Sequence, residues 1–376
     1  MQESSQLRTR STDEANGRNR APRLLVIAGF SSQKHGEAKP GKLRSHLGPL
    51  LRVTSGMTYV SPDDGISSFD EIEFRPSDRS SRLAQLLEQA IDVIRLARSG
   101  DYDAIISFSL VPYGLLALLG KAVSGRPAHL GIIGMDLDVH ANAIYGPFVR
   151  WAFRQFDAIT VAGSAYRSRL IDMGVSPARI SCVSHPVDDP FIDASQSADP
   201  AYDLLWLGRM SPEKDPLRFV SIVARLHERG YPCRAAMVGD GPLLGAVREE
   251  ATRAGVGDVI DTPGWEADPL PWYRNARFYV STSEREMLPL TVIEAMAVGV
   301  PPVVPRLGAL PDLVRDGDNG ILVADRGVDT YADRIEEYLQ EELDSTLSTE
   351  AARTGAQLSV DRVAADWVPV LERLIE

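Results

Sequence analysis

The stretch Ser283-Glu284-Arg285-Glu286-Met287-Leu288-Pro289-Leu290-Thr291-Val292-Ile293-Glu294-Ala295-Met296-Ala297, followed by Val298-Gly299-Val300-Pro301-Pro302-Val303-Val304, decides how the chain is read. Ahead of it Arg277-Phe278-Tyr279-Val280 is apolar and β-prone, residues 281–285 are polar, and Pro289 suits a first helical turn, where a missing N–H costs nothing. A buried strand gives way to a helix here, with Glu286 in the loop and Glu294 on the helix. The segment Met287-Leu288-Pro289-Leu290 then presents free backbone N–H groups at the carboxyl edge of a parallel sheet, where amide donors and the helix dipole favour an anion such as phosphate. The two carboxylates flank that anion site and can accept hydrogen bonds from hydroxyls.

Outward from this stretch the chain alternates strand and helix, the pattern of parallel α/β architecture. Arg23-Leu24-Leu25-Val26-Ile27-Ala28-Gly29 reads as a first buried strand closed by a glycine turn at Gly29. Residues 82–98 read as an amphipathic helix, and residues 103–108, 128–134, 158–161 and 180–183 as further strands. His185-Pro186-Val187-Asp188-Asp189-Pro190-Phe191 leads into a stretch rich in Asp, Ser and Ala, which is boundary composition. The expected division is a disordered tail over 1–22, a first domain over 23–187, a linker over 188–202 and a second domain over 203–359. Strands of the second domain are read at 203–208, 234–238, 278–280, 302–304 and 320–323, and residues 360–375 as a final amphipathic helix carrying Trp367. The aromatics Tyr145, Phe148, Trp151, Phe153 and Phe156 follow helical faces and are read as core.

With 376 residues the chain can bury two cores of ordinary size. Its most apolar run, residues 110–119, is short and broken by Pro112 and Gly114, so no spanning helix is expected. The first 23 residues lack the apolar centre of a secretory signal. Cys182 and Cys233, the two cysteines, have no metal-ligand spacing, which points to a reducing cytoplasm and away from a disulfide framework or a zinc site. A net charge of −12 argues against nucleic acid as a partner. The charge is uneven: residues 1–60 hold ten basic and four acidic groups, a net +6 that leaves −18 for the remainder. Lys34, Lys39, Lys42 and Arg44 in that excess suit either a solvated loop or peripheral contact with the anionic inner face of the cytoplasmic membrane.

The paired-glutamate stretch resembles the signature of the retaining glycosyltransferase family four, group 1 type, with the Pro-Leu pair, the Glu-Ala-Met run and the later Gly-Val-Pro in the family's order. The resemblance implies that Glu286 contacts the donor sugar and Glu294 the ribose. Met287 stands where the family usually has a small residue. Gly208-Arg209-Met210-Ser211-Pro212-Glu213-Lys214-Asp215-Pro216 resembles the family's diphosphate-binding segment, which assigns Arg209 and Lys214 to the leaving phosphates; a guanidinium and an ammonium at a strand end are also chemically suited to that charge. Val238-Gly239-Asp240-Gly241-Pro242 resembles the Gly-x-Gly-Pro turn beside the nucleotide, bringing in Gly239 and Gly241. Pro263-Gly264-Trp265-Glu266 matches the segment beside the base, where Trp265 either stacks or packs. In the first domain Gly134-Met135-Asp136 resembles the Gly-x-Asp of the cleft wall; Ile133 replaces the histidine many relatives carry, and His140 follows in the next turn as a candidate acceptor-side group with Gly29.

The family's fold is the GT-B type, two Rossmann-like domains facing across a cleft with a C-terminal helix, here 360–376, crossing back to the first domain. The implied reaction moves a sugar from a nucleotide-diphosphate donor to a hydroxyl of a glycan, lipid-linked or small-molecule acceptor with retained anomeric configuration, without cofactor or metal. A sugar-nucleotide 2-epimerase of the same fold, or a non-catalytic nucleotide-sugar-binding subunit, are the other readings; the complete set Arg209, Lys214, Glu286 and Glu294 favours the transferase.

Overall fold

The computed structural model describes residues 20–29, 33–34, 37–38, 41–62, 69, 71–77, 79, 81–133, 135–340 and 344–376. Seven parallel strands form a first sheet: β1 (Arg23–Ile27), β2 (Gly56–Val60), β3 (Ile72–Arg75), β4 (Ala104–Phe108), β5 (Ala128–Gly131), β6 (Ala158–Val161) and β7 (Ile180–Cys182), in the order β3-β2-β1-β4-β5-β6-β7. Six more form a second: β8 (Tyr202–Leu207), β9 (Ala235–Val238), β10 (Ile260–Gly264), β11 (Ala276–Val280), β12 (Pro302–Pro305) and β13 (Ile321–Val323), in the order β10-β9-β8-β11-β12-β13. Both are doubly wound, so unbroken apolar runs such as Leu24 to Ile27, each fully buried, mark strands covered on both faces. Strand order reverses between β1 and β4, and between β8 and β11. At such a switch point the loops leaving the carboxyl ends part and leave a crevice.

Three strands of these two sheets escape the sequence reading. β2 carries the mixed run Gly56-Met57-Thr58-Tyr59-Val60, β3 is a short edge strand, and β10 contains Pro263, tolerated because β10 is also an edge and that N–H owes no ladder bond. The helix after β11, Leu290–Val298, starts one residue later than expected: Pro289 is its N-cap, with extended φ −71° and ψ 131°, rather than part of its first turn.

The final helix Val360–Ile375 buries Val363, Trp367, Val370, Leu371 and Leu374 against Leu24, Val26, Leu47, Leu50 and Ile106 of the first domain. At roughly 1.5–3 kcal/mol for each fully buried large side chain, this docking holds the C-terminus firmly on the first sheet. The two crossings between the lobes run side by side, Val187 N–H donating to the Leu358 carbonyl at 2.8 Å. Residues 188–202 adhere to the second lobe: Phe191 packs edge-on to Tyr273, and Gln196 N–H donates to the Val298 carbonyl at 2.9 Å.

One expectation changes. Phe153 and Phe156 are fully buried as core, but Tyr145, Phe148 and Trp151 are 44%, 48% and 48% exposed, because the helix Gly146–Phe153 turns Gly146, Val149, Ala152 and Phe153 inward and these aromatics outward. The tail up to residue 19 and the side chains of Lys34, Lys39 and Lys42 lie outside the described residues; Arg44 is exposed, its guanidinium carbon 5.9 Å from the Phe69 ring centre. Among the described residues no helix is long and apolar enough to cross a membrane.

Candidate functional site

The loops leaving β8 and β11, the pair at the second switch point, carry the residues singled out above. Lys214 Nζ pairs with Glu286 Oε1, and Ser283 Oγ donates to the same oxygen at 2.8 Å. Glu286 is 11% exposed and Lys214 29%, so water screens this pair less than a surface one. Two strand-end contacts hold Lys214. Thr282 Oγ1 lies 2.8 Å from the Asp215 carbonyl and accepts the Trp206 indole N–H at 3.1 Å. The Asp215 side chain, on a residue forced to φ 47°, is braced by Arg218 and Arg326, each at 2.7 Å. Glu284 N–H donates to the Glu213 carbonyl at 2.9 Å, stitching the two loops together. Arg209 is exposed and its side chain forms no ion pair or hydrogen bond with a described residue, so its guanidinium faces solvent at the strand end.

Glu294 has the opposite environment. Its helix is apolar almost all round, with Val292, Ile293, Ala295, Met296, Ala297 and Val298 buried, so the carboxyl is dragged inside with it. Burial raises its pKa to about 7, opposed by the Tyr273 hydroxyl, which donates to Oε2 at 2.9 Å, and reinforced by the nearby Asp188. At the start of this helix the N–H groups of Leu288, Leu290 and Thr291 donate to no described acceptor. They are the free donors that the sequence places beside the carboxylates.

The glycine turns are needed by the loops themselves. Gly239 sits at φ 140°, and a Cβ there would lie 1.8 Å from the Gly208 carbonyl oxygen, directly under the Arg209 loop. Its N–H donates to the Gly264 carbonyl at 2.7 Å, so three adjacent strand ends are laced together. A Cβ on Gly241 would meet the Met210 carbonyl oxygen at 2.4 Å, holding that turn against the same loop. Trp265, next to Gly264, leaves 39% of its surface exposed.

The first lobe meets this site directly. Tyr166, in the helix Ser164–Asp172 after β6, donates its hydroxyl to the Glu286 backbone carbonyl at 2.9 Å. Ser164 donates from N and Oγ to the Asp312 carboxylate at 2.6 and 2.7 Å. The N-cap position of that helix is Gly163, so Asp312 of the other lobe supplies the missing capping carboxylate. Met287 packs on the first lobe's core and lines a cavity of about 30 Å³ with His46, Phe108, Thr160, His185 and Trp367. The large residue that departs from the family pattern thus joins the lobes.

The structure does not bring the remaining first-domain candidates to this cluster. Asp136 is fully buried, its carboxylate accepting from Leu110 N–H at 2.8 Å, Ser109 Oγ at 3.0 Å and Ile133 N–H at 3.1 Å. Two backbone N–H groups and the Ser109 hydroxyl hold it, with Ser109 at φ 67°; burial raises its pKa and those hydrogen bonds oppose the rise. In the structure Asp136 supports the 109–110 turn. His140 Nδ1 lies 2.7 Å from the Tyr145 hydroxyl. Gly29 faces Tyr113, whose hydroxyl oxygen is 2.0 Å from where a Cβ would sit. Sequence reasoning missed Tyr166, Ser164, Asp312 and Tyr273, all remote in sequence from their partners; Ser283 opened the deciding stretch and could have been paired with Glu286 three positions on. No group of His, Cys, Asp and Glu among the described residues could hold a metal ion.

Residues 201–341 match the family model for glycosyl transferases group 1. The chain is 30% identical over 346 residues, covering 84% of this chain and 88% of the relative, to a GDP-mannose-dependent alpha-(1-6)-phosphatidylinositol monomannoside mannosyltransferase of Mycobacterium tuberculosis. It is 33% identical over 187 residues to a D-inositol 3-phosphate glycosyltransferase of Kribbella flavida, but that match spans only 43% of either chain. The crystal structure of Anabaena HepE in complex with UDP superposes with a TM-score of 0.76 at 18% identity, over 93% of this chain and 99% of that one, a likeness of fold. Two doubly wound lobes, a helix that returns to the first, charged loops at the second lobe's switch point and a relative matched over most of its length lead to one conclusion: the chain belongs to the group 1 glycosyltransferases and has the GT-B fold.

Proposed function

We propose that the enzyme transfers a sugar from a nucleoside diphosphate to an acceptor hydroxyl with retention of anomeric configuration and without a divalent metal. The observation that carries this reading is the junction of Lys214 with Glu286 beside the exposed Arg209 and the free N–H groups of the helix Leu290–Val298. In this reading the donor's diphosphate lies between Arg209, Lys214 and those N–H groups. Lys214 has three protons, so it can hold Glu286 and a phosphate oxygen together. Glu286 accepts a hydroxyl of the donor sugar, and Glu294, fixed on one oxygen by Tyr273, accepts the ribose with the other.

The acceptor oxygen attacks the anomeric carbon from the side the phosphate leaves; the carbon–oxygen bond to phosphate breaks, and the departing phosphate oxygen takes the acceptor's proton. Arg209 and Lys214 stabilise the charge that grows on that oxygen, an effect larger in the transition state than in the bound donor. Neither is consumed, and no covalent enzyme intermediate is required. The acceptor belongs to cell-surface glycoconjugate assembly on the cytoplasmic side of the membrane, a reading supported by the phosphatidylinositol monomannoside named for one relative and the colanic acid named for another.

The test is a panel of UDP-, GDP- and ADP-linked sugars, first by thermal shift to identify the base, then by NMR of the glycosidic product. The expected product keeps the donor's anomeric configuration. An inverted anomer, or conversion of the sugar nucleotide with no acceptor present, overturns the assignment.

A further inference from the structure

The helix Gly146–Phe153 and the turn before it expose a group of large apolar side chains. Ile144 is completely exposed, Phe148 and Trp151 are each 48% exposed, Tyr145 44% and Val139 38%. Phe148 and Trp151 stack on each other with ring centroids 5.6 Å apart and 29° between planes, outside the core. A cluster of this kind on a folded surface marks something that covers it.

The charges say what covers it. From Val139 to Phe156 the chain contains no Asp or Glu, although its net charge is −12. Arg150 and Arg154 are exposed on the same outward side of the helix. A third guanidinium adjoins them, since Arg179 donates to the carbonyls of Arg154 and Phe156 at 3.2 Å each. Aromatic rings with polar tips, aliphatic side chains and arginines without carboxylates suit the boundary between headgroups and acyl chains of an anionic bilayer. A second copy fits poorly: in a two-fold contact this patch would face itself and bring arginine against arginine.

The segment also stands in a useful place. It begins at the carboxyl end of β5, the edge of the first sheet from which the Ser164–Asp172 helix also leaves to touch Glu286 and Asp312, and runs back to the amino end of β6, where Arg154 and Arg179 lie. Residues 139–145 are the part of the segment nearest the carboxyl edge of that sheet.

We infer that residues 139–154 form a docking surface for an anionic lipid bilayer. Ile144 and Phe148 enter the acyl boundary, Tyr145 and Trp151 sit at the headgroups, and Arg150 and Arg154 meet lipid phosphates. This surface is separate from the basic excess near Lys34, Lys39, Lys42 and Arg44, and it does not depend on the identity of the donor.

The full chain is tested by flotation with vesicles of phosphatidylcholine alone and of equal parts phosphatidylcholine and phosphatidylglycerol. The unaltered protein is expected to float with the anionic vesicles at low salt. The Ile144→Glu/Trp151→Gln variant is expected to partition at least about tenfold less, with an unchanged melting temperature because both side chains lie outside the core. Brominated lipid should quench the unaltered protein more than Trp151→Phe. Equal flotation of variant and parent overturns the inference, as does failure of the parent to float. A dimer that dissociates in the variant, with no vesicle binding by either, shows that a second copy covers the face instead. Loss of flotation in Leu83→Gln/Leu87→Gln while Ile144→Glu/Trp151→Gln still floats transfers the role to the exposed stripe on the helix Arg82–Ser99 and also overturns it.

Discussion

The two walls of the cleft are built differently. On the second lobe, loops from adjacent strand ends brace one another: Thr282 and Trp206 hold the Lys214–Asp215 turn, Gly239 fits under Gly208, and Glu284 is tied to Glu213. On the first lobe the group expected to face a ligand, Asp136, is withdrawn into the interior, and contact with the opposite wall falls to Tyr166 and Ser164. One wall gathers charged groups and free N–H donors on loops that hold one another in place. The other meets that wall through a few hydrogen bonds and the packing of Met287.

The largest effect should come from removing the charge that faces the leaving group. Arg209→Ala is expected to lower kcat by on the order of 100-fold or more while changing donor affinity much less, because the charge it meets develops in the transition state. Steady-state kinetics set beside calorimetric donor binding checks this. Equal losses in both would make the second wall a ground-state binding surface.

Next comes Glu294, whose buried carboxyl has its pKa raised to about 7. With a folded pKa above the unfolded one, the native state holds the proton more tightly. This contribution is complete below about pH 4.5 and is lost as pH rises to about 7, a fall of about 3 kcal/mol by the size of the shift. Melting curves of ligand-free protein from pH 4.5 to 7.5 should lose stability in the parent relative to Glu294→Gln. Parallel profiles would mean that solvent reaches the carboxyl. The same substitution should weaken the free nucleoside diphosphate, whereas Glu286→Gln should spare it and weaken only the intact sugar donor, a split that calorimetry with both ligands resolves.

The contact between the walls is worth less. Tyr166→Phe removes one hydrogen bond to the Glu286 carbonyl, a net effect of about 0.5–1.5 kcal/mol, equivalent to about twofold to thirteenfold. We expect it in kcat, with free nucleotide affinity unchanged, since the bond positions Glu286 rather than the ribose side. If nucleotide affinity falls instead, Tyr166 serves the fold of the second lobe and not the closed cleft.

The smallest expected effect is none. EDTA should leave transfer intact if, as proposed, Arg209, Lys214 and the helix N–H groups meet the diphosphate's charge. Activity lost to EDTA and restored by Mg²⁺ or Mn²⁺ would mean that these donors alone do not suffice.

Much of the second lobe was legible in the chain because its information is local. Strand, polar loop and helix follow one another within the deciding stretch, so the positions of Glu286 and Glu294 on loop and helix could be read from alternation and a proline alone. The final helix was legible from its apolar spacing, and its limits agree with the structure at Val360–Ile375. Edge strand β10 was not, since Pro263 and Gly264 within it look like a loop until one sees that it pairs on a single side. The aromatics at 145–156 divide in a way periodicity cannot foresee: apolar residues occupy both faces of a short helix, and only the packed sheet determines which face is buried.

The sequence by itself determined the alternating α/β order, the glycines that close turns, and the identity of the charged groups at the strand ends. These depend on residues a few positions apart, whose geometry the backbone dictates. Tertiary structure alone decided that Lys214 meets Glu286 across 72 positions, that Asp312 caps a helix 148 positions away in the other lobe, and that Glu294 lies where burial shifts its proton affinity. Those outcomes depend on which surfaces exclude water from one another, and that is settled only when the whole chain has packed.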